Sequence, residues 1–196
     1  MRKGILMVIS GPAGAGKGTL GEMLLTRDGG FTFSISATTR APRPTETDGV
    51  HYHFLSEEEF ARMEEAGEFL ETAEVHGHRY GTLLRPVMQM LDEGRDFLLD
   101  LDSQGAISVM SKLVDCVTVF ILPPSFEELE CRLRSRNTEN EQEIQRRLRN
   151  ARGEVEQLDR YRYVIINDNR DEAYQKLTAI VAAERQSTAR YRPEIV

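Results

Sequence analysis

A glycine-rich segment near the amino terminus constrains this chain more than any other feature. The segment comprises Gly11, Pro12, Ala13, Gly14, Ala15, Gly16, Lys17, Gly18 and Thr19. It follows an apolar run at residues 5–10, which predicts a strand covered on both faces, and it leads into a predicted helix at residues 19–25. The backbone N–H groups of such a turn can surround phosphate oxygens, while Lys17 and the helix start add positive charge. The sequence therefore predicts an α/β fold with a phosphate-binding loop.

Apolar runs alternate with helix-like segments along the rest of the chain. Further strands are predicted at residues 31–35, 69–75, 97–101, 117–122 and 163–166. Helices are predicted at residues 57–66, capped by Ser56, and at 83–93, 126–136 and 171–185. This alternation predicts a parallel sheet with right-handed crossovers, whose ligands bind at the carboxyl ends of the strands. The glycine turn, Asp100, Asp102 and Asn167 lie at strand ends and should converge there.

Composition argues against several classes of function. The 196 residues carry a net charge of −7, which disfavours a nonspecific nucleic-acid binder. No apolar run approaches the ~20 residues that a membrane span needs, and two cysteines cannot build a disulfide framework. We therefore expect no nucleic-acid or membrane partner and a location in the reducing cytoplasm. The Arg-rich stretch at 132–162 is compatible with phosphate binding or with a salt-bridged helical surface.

A second set of motifs resembles the guanylate kinase family. The first of them is the run Ser36-Ala37-Thr38-Thr39-Arg40-Ala41-Pro42-Arg43, inside a loop-rich stretch at residues 36–85. Further matching blocks follow in family order at residues 49–52, 69–71, 80–82, 99–105, 121–125 and 166–168. The resemblance covers about residues 4–185, and its motifs are far more specific than the phosphate loop alone.

This resemblance implies a P-loop kinase with a parallel sheet flanked by helices. The implied single domain spans residues 1–196, with a core at 1–35 and 86–196, an inserted GMP-binding subdomain at 36–85 and a lid at 134–150. It implies an enzyme that transfers the γ-phosphoryl group of ATP to GMP, and to dGMP, giving ADP and GDP. The implied partners are the small-molecule substrates ATP and GMP, and the implied cofactor is Mg²⁺ bound with ATP.

The resemblance also implies roles for individual side chains. The acceptor phosphate is held by Ser36, Arg40, Arg43, Tyr52 and Tyr80. The guanine base is recognised by Glu71 and Thr82, with Asp100 on the same side. ATP binds the loop from Gly11 to Thr19 with Asn167 beside the adenine, and the metal lies near Asp102, through water, and Thr19. The groups that act on the transferring phosphoryl are Lys17, Arg40, Arg43, Arg132, Arg136 and Arg147.

These residue types agree with the implied chemistry. A nucleoside monophosphate carries nearly two negative charges, since its second pKa is about 6. Arginine forks and tyrosine hydroxyls bind such a dianion, and the ionised nucleophile needs no general base. Guanine presents N1–H and a 2-amino group side by side, so Glu71 can accept from both while Thr82 donates to O6. Catalysis would then consist of positioning and charge neutralisation.

Several positions depart from the family pattern or carry another interpretation. Gly18 stands where the loop usually has Ser or Thr to hold Mg²⁺, so water or Thr19 is expected to serve instead. Residues 135–137 replace a Gly-Arg-Gly, which predicts a stiffer lid hinge. Two pairs of histidines, His51 with His53 and His76 with His78, could form a metal site on neighbouring strand positions. The favoured interpretation is that they are surface histidines.

Two other functions compete with this interpretation. A scaffold domain of related sequence binds phosphopeptides instead of catalysing, but such domains lose the phosphate loop, which is intact here with Gly16 and Lys17. A kinase for another acceptor, such as AMP or a phosphorylated ribose, is favoured by the Gly-Lys-Gly-Thr form of the loop, which resembles adenylate kinases. Glu71 and Thr82 argue against that second alternative.

Overall fold

A five-stranded parallel sheet forms the centre of the protein. The computed structural model describes residues 2–75, 77–113, 115–135 and 140–193. Its strands are β1 Leu6–Ser10, β2 Phe31–Thr32, β3 Ala37–Thr38, β4 His53–Phe54, β5 Phe69–Val75, β6 His78–Leu83, β7 Asp96–Asp100, β8 Val117–Leu122 and β9 Tyr163–Ile166. The central sheet has the order β2-β7-β1-β8-β9, and every neighbouring pair is parallel. The predicted parallel sheet is confirmed, with the strand that precedes the glycine-rich loop in the middle.

Helices cover both faces of this sheet. They are α1 Lys17–Arg27, α2 Glu57–Glu65, α3 Leu84–Asp92, α4 Ser103–Lys112, α5 Phe126–Ser135, α6 Glu141–Val155 and α7 Arg170–Arg185. Alternate residues of β1 point to opposite faces: Met7 and Ile9 join a core with α1 and α7, while Leu6 and Val8 join a core with α3 and α4. Burial on both faces explains why β1 is apolar at every position before Ser10.

A second sheet lies between residues 37 and 83, with the order β4-β3-β6-β5. β5 and β6 form an antiparallel hairpin, and β3 joins it antiparallel to β6 and parallel to β4. Helix α2 covers it by stacking Phe60 on Phe69, with ring centroids 4.4 Å apart. The sequence predicted β5 but not the two-residue strands β3 and β4, because prolines and turn formers surround them.

Helix ends agree with the sequence where a polar side chain caps them. Ser56 accepts from Glu59 N and forms a complete capping box at α2, and Ser125 accepts from Glu128 N at the start of α5. Helix α4 was not predicted, although Asp102 caps it by accepting from Gly105 N at 2.8 Å. None of the helices that the structure describes is long and apolar enough to cross a membrane.

Candidate active site

Three glycines shape the loop that connects β1 to α1. Gly11, Gly14 and Gly16 have φ angles of 135°, 94° and 94°, which side-chain-bearing residues rarely adopt. A Cβ on Gly11 would lie 2.2 Å from the carbonyl oxygen of Ile121 in β8, so the loop also packs tightly against the sheet. These positive φ angles turn the chain at the carboxyl edge of the sheet, where the sequence predicts a phosphate-binding loop.

Lys17 begins helix α1 and folds back across the loop. Its Nζ donates to the carbonyl oxygens of Gly11 at 2.6 Å and Pro12 at 3.2 Å. The ammonium group and the amino terminus of α1 therefore contribute positive charge at the same place. An anion bound in the loop would meet both.

Asn167 supports the loop from the end of β9. Its side-chain nitrogen donates to Ala15 O at 2.8 Å, and its own main-chain oxygen accepts from Arg132 Nη1 at 3.0 Å. The side chain is buried, and its amide is committed to the loop backbone. The sequence predicted Asn167 beside the adenine; in this structure the residue fixes the loop that would hold the phosphates.

We expect Gly16→Ala to lower stability and ATP affinity together. The new Cβ would adopt a φ of 94° and lie 2.3 Å from Asn167 Nδ2, so the loop or the asparagine must move. Such strain costs roughly 1–3 kcal/mol, which lowers Tm by about 2–12 °C for a chain of this size. Thermal unfolding and calorimetry with an ATP analogue measure both effects. Gly153→Ala is the matched control, because its Cβ meets nothing within 4 Å, and unchanged values for Gly16→Ala would contradict the packing argument.

Arginine and tyrosine side chains meet beside the second sheet. Arg40 Cζ lies 5.5 Å from the Tyr52 ring centroid and 5.8 Å from that of Phe54, and the Tyr52 and Tyr80 rings are 6.0 Å apart. Glu46 forms a two-point ion pair with Arg40, with distances of 3.0 and 2.8 Å, and this pairing raises the pKa of Arg40 further. Three of the five predicted phosphate-binding side chains are thus together.

The other two predicted phosphate ligands lie on the same segment. Ser36 precedes β3, and its carbonyl oxygen accepts from His53 N of β4 at 2.9 Å. Arg43 is exposed, and its backbone N donates to Glu46 Oε2 at 2.7 Å. Sequence reasoning gave Glu46 no role, although it contacts both predicted arginines and lies three residues after the second.

Glu71 and Thr82 form a buried pair across the β5–β6 hairpin. Their side chains lie opposite each other in register, next to an irregularity in β5, and Thr82 Oγ1 donates to Glu71 Oε1 at 2.7 Å. Burial raises the pKa of Glu71, while the hydrogen bond from Thr82 acts in the opposite direction. The hydroxyl of Thr82 is directed at Glu71 in this structure, where it orients the carboxylate.

Carboxylates follow β7 at the edge where the loop lies. A Cβ on Gly18 would be 3.6 Å from Asp100 Oδ2, which places that carboxylate directly beside the loop. Thr19 is exposed on the first turn of α1, and Asp102, the capping residue of α4, is exposed two residues after the end of β7. Oxygen ligands of this kind fit Mg²⁺, which takes one or two carboxylates and otherwise keeps waters and phosphate oxygens. Among the residues that the structure describes, no cluster of three or more His, Cys, Asp or Glu is arranged to hold a metal.

The remaining predicted residues have separate positions. Arg132 lies on α5, where its Nε pairs with Glu128 at 2.7 Å, and Arg147 is half-buried on α6. Arg136 lies outside the described residues, as does the lid segment at 136–139. His51 Nδ1 accepts from Thr47 N at 3.0 Å and so serves a turn, whereas His76 is outside the described residues.

A buried polar group that the sequence did not reveal lies behind the loop. Ser10, Ser103, Glu154 and Tyr161 each bury a side-chain oxygen that has no hydrogen-bond partner among the described residues. Burial raises the pKa of Glu154 and of Tyr161. A cavity of about 510 Å³, lined in part by Asp102, Ser103 and Glu154, adjoins them. Ser10 ends β1, Ser103 begins α4 and Glu154 lies on α6, and no sequence motif indicated that these side chains would be buried.

A glycine loop between a central parallel strand and a helix, with a lysine across it, defines a nucleotide-binding α/β protein of the P-loop class. The family model described as guanylate kinase matches residues 3–184. This chain therefore belongs to the guanylate kinase family.

Individual relatives agree with this assignment. Guanylate kinase of Caldanaerobacter subterraneus subsp. tengcongensis is 49% identical over 184 residues, which cover 94% of this chain and 89% of that protein. Guanylate kinase of Clostridium perfringens strain 13 is 45% identical over 194 residues, covering 99% and 90%. The crystal structure of guanylate kinase from Anaplasma phagocytophilum superposes with a TM-score of 0.70 at 34% identity, covering 96% of this chain and 90% of that one.

Proposed function

We propose that this protein is an ATP:GMP phosphotransferase that forms ADP and GDP, and that dGMP is also an acceptor. The observation that carries the proposal is the intact phosphate loop, with Lys17 across it, in a chain that matches the family over residues 3–184. A scaffold domain would not need this loop. Free Cys116 and Cys131 and nucleotide substrates are compatible with action in the cytoplasm.

The acceptor phosphate would bind where Arg40, Tyr52 and Tyr80 meet. Guanidinium and phenol groups donate to phosphate oxygens, and the dianion is the nucleophile without further deprotonation. Lys17 and the amino terminus of α1 would stabilise charge on the transferring group, with Arg132, Arg136 and Arg147 as further cations. The protein's task is thus to bring two anions together and to exclude water.

The guanine base would be recognised by Glu71. Thr82 fixes one carboxylate oxygen at 2.7 Å, so the carboxylate has a defined orientation before a base arrives. A carboxylate can accept from both guanine N1–H and the 2-amino group, whereas adenine lacks this pair of donors. This arrangement favours GMP over AMP as the acceptor.

Mg²⁺ fits the oxygen-rich edge of the loop, where Asp100, Asp102 and Thr19 would hold it directly or through water. When bound with ATP, it would neutralise charge on the phosphate oxygens. Gly18 leaves the usual hydroxyl ligand out of the loop, so nucleotide and water oxygens carry more of the coordination.

We expect Gly18→Ser to fold normally and to lower the Mg²⁺ concentration needed for half-maximal activity by about fivefold. The added Cβ makes an ordinary contact of 3.6 Å with Asp100 Oδ2, and the hydroxyl supplies one more oxygen beside the loop, worth roughly 1 kcal/mol. Gly18→Ala, which adds the Cβ without the hydroxyl, is the control in a Mg²⁺ titration of activity. An equal or greater Mg²⁺ requirement in the serine variant would count against this account of the loop.

The second sheet and the segment around residues 134–150 would act as moving parts of a single domain. We infer that the GMP-binding subdomain at 36–85 and the lid close on the core at 1–35 and 86–196 when both nucleotides bind. Arg40 and Arg132 pair with Glu46 and Glu128 without ligand. The two bound phosphates would add anionic partners that both regions share, so binding supplies the energy of closure.

An ADP-release assay tests this function against its rivals. Purified protein with Mg²⁺ and ATP should release ADP rapidly with GMP or dGMP and slowly with AMP or with no acceptor. Faster turnover with AMP or a phosphorylated ribose would assign the chain to another acceptor. Folded protein that binds the nucleotide but is inactive with every acceptor would indicate a binding module.

A further inference from the structure

Glu46 contacts both arginines that are predicted to bind the acceptor phosphate. Its carboxylate accepts from Arg40 Nη1 at 3.0 Å and from Nη2 at 2.8 Å, and Oε2 also accepts from Arg43 N at 2.7 Å. In return, Glu46 N donates to Arg43 O at 2.9 Å. Only 15% and 13% of the Arg40 and Glu46 side chains are exposed, so water competes weakly for these bonds.

We propose that Glu46 is a positioning residue that holds Arg40 and Arg43 in the arrangement that receives the acceptor phosphate. The inference rests on the proposed function, because the phosphate in question is that of GMP. On this proposal, Glu46 affects the affinity for the phosphate of GMP. It does not contact the guanine base and takes no part in the transfer of the phosphoryl group.

The hydrogen bonds of Arg40 show why Glu46 need not compete with a phosphate. A guanidinium has five N–H donors. Glu46 takes one from each terminal nitrogen, and Ala41 O takes the second from Nη1 at 2.8 Å. The Nε–Nη2 edge is not used by Glu46 or Ala41, and the Tyr80 side chain, itself a predicted phosphate ligand, also hydrogen-bonds Arg40, so a phosphate could meet both groups there. Glu46 and a phosphate can therefore bind Arg40 at the same time, on different edges.

The same contacts fix the loop that carries Arg43. Reciprocal backbone and side-chain bonds between Arg43 and Glu46 close a short turn that contains Pro44 and directly follows Pro42. An arginine side chain loses much conformational entropy when it is immobilised, and here part of that loss occurs before a ligand arrives. The guanidinium of Arg40 is held in place, whereas for Arg43 only the backbone is held, so a dianion would meet one oriented arginine and one anchored loop position.

Charge alone predicts the opposite effect. The hydrogen bonds from Arg40, and then from Arg43 N, lower the pKa of Glu46 to about 2, so the group is ionised at every working pH. Removing a negative charge near a phosphate site should strengthen phosphate binding, whereas removing a positioning group should weaken it. The sign of the change therefore separates the two effects.

Glu46→Gln gives the test. We expect KM for GMP to rise about tenfold, the loss typical of a charge-assisted hydrogen bond, while kcat stays within about twofold and KM for ATP is unchanged. Calorimetry should show the same loss of affinity for GMP but none for guanosine, which has no phosphate. Glu58→Gln, on the exposed face of α2, removes the same charge from the same region and should change nothing.

Other outcomes would overturn the inference. An unchanged or lower KM for GMP would show that Glu46 does not position the arginines, and an equal loss of guanosine affinity would indicate general damage to the second sheet.

In an Arg40→Ala background, Glu46→Gln should raise KM for GMP little further, because the main partner of Glu46 is gone. Additive losses would contradict the mechanism. If the glutamine variant fails to fold, Glu46→Asp keeps the charge but shortens the reach, and a normal KM for GMP would again overturn the inference. Wild-type protein that does not turn over GMP would refute the proposed function instead.

Discussion

Lys17→Ala is expected to lower kcat by ~10³-fold or more and to leave the protein folded. The ammonium group lies across the phosphate loop, 2.6 Å from Gly11 O, where it would meet charge that develops on the transferring phosphoryl group. A loss of 10³ corresponds to about 4 kcal/mol of transition-state stabilisation, which is the size expected for a preorganised charge in a site that excludes water. The loop keeps its shape without the lysine because its glycine φ angles and Asn167 define it.

Steady-state kinetics, circular dichroism and thermal unfolding of the same preparations measure this effect. Lys176→Ala is the matched control, since Lys176 is an exposed lysine on α7 that has no proposed role in the site. The variant should retain the wild-type spectrum and lose turnover, while the control retains both. Near-normal turnover in Lys17→Ala would mean that the loop has no catalytic role.

Glu71→Gln is expected to reduce the preference for GMP over AMP, which should approach ~10⁴-fold in the wild type. The wild-type carboxylate accepts from two guanine donors, and adenine would leave that buried charge without a donor. A glutamine side chain offers one acceptor and one donor group instead. It loses a bond to guanine and gains a compatible contact with the unprotonated N1 of adenine.

IMP makes this measurement graded, because hypoxanthine keeps N1–H but lacks the 2-amino group. The value of kcat/KM should be highest for GMP, lower for IMP and lowest for AMP. In Glu71→Gln the differences in kcat/KM among the three acceptors should become smaller. Glu74→Gln is the control: Glu74 lies on the same strand but is exposed. An unchanged ratio of GMP to AMP in Glu71→Gln would mean that the base is recognised elsewhere.

The central sheet was predictable because its physical causes are local. Residues 5–10, 117–122 and 163–166 are short apolar runs between turn signals, and the glycines of the loop leave few other conformations open. Helix α4 was missed because its sequence, from Ser103 to Lys112, includes a glycine and β-branched residues that weaken the local signal. Strands β3 and β4 are held by pairing with β6, a long-range contact that no local pattern reports.

The site was predictable in its residue types more than in its contacts. The resemblance to the family indicated Arg40, Tyr52, Tyr80, Glu71 and Thr82, and the fold brings the first three and the last two into contact. Which group each polar atom bonds depends on geometry. The Thr82 hydroxyl is directed at Glu71, the Asn167 amide at the loop, and Glu46 at two arginines that lie three and six residues before it.

Transfer of a labelled phosphoryl group tests the central claim most directly. The protein is incubated with Mg²⁺, GMP and ATP that carries ³²P in the γ position, and the products are separated by chromatography. We predict that the label appears in the β-phosphate of GDP, in amounts equal to the ADP formed. Label released as inorganic phosphate or found in another product, with GMP unchanged, would contradict the assignment of this chain as a kinase that acts on GMP.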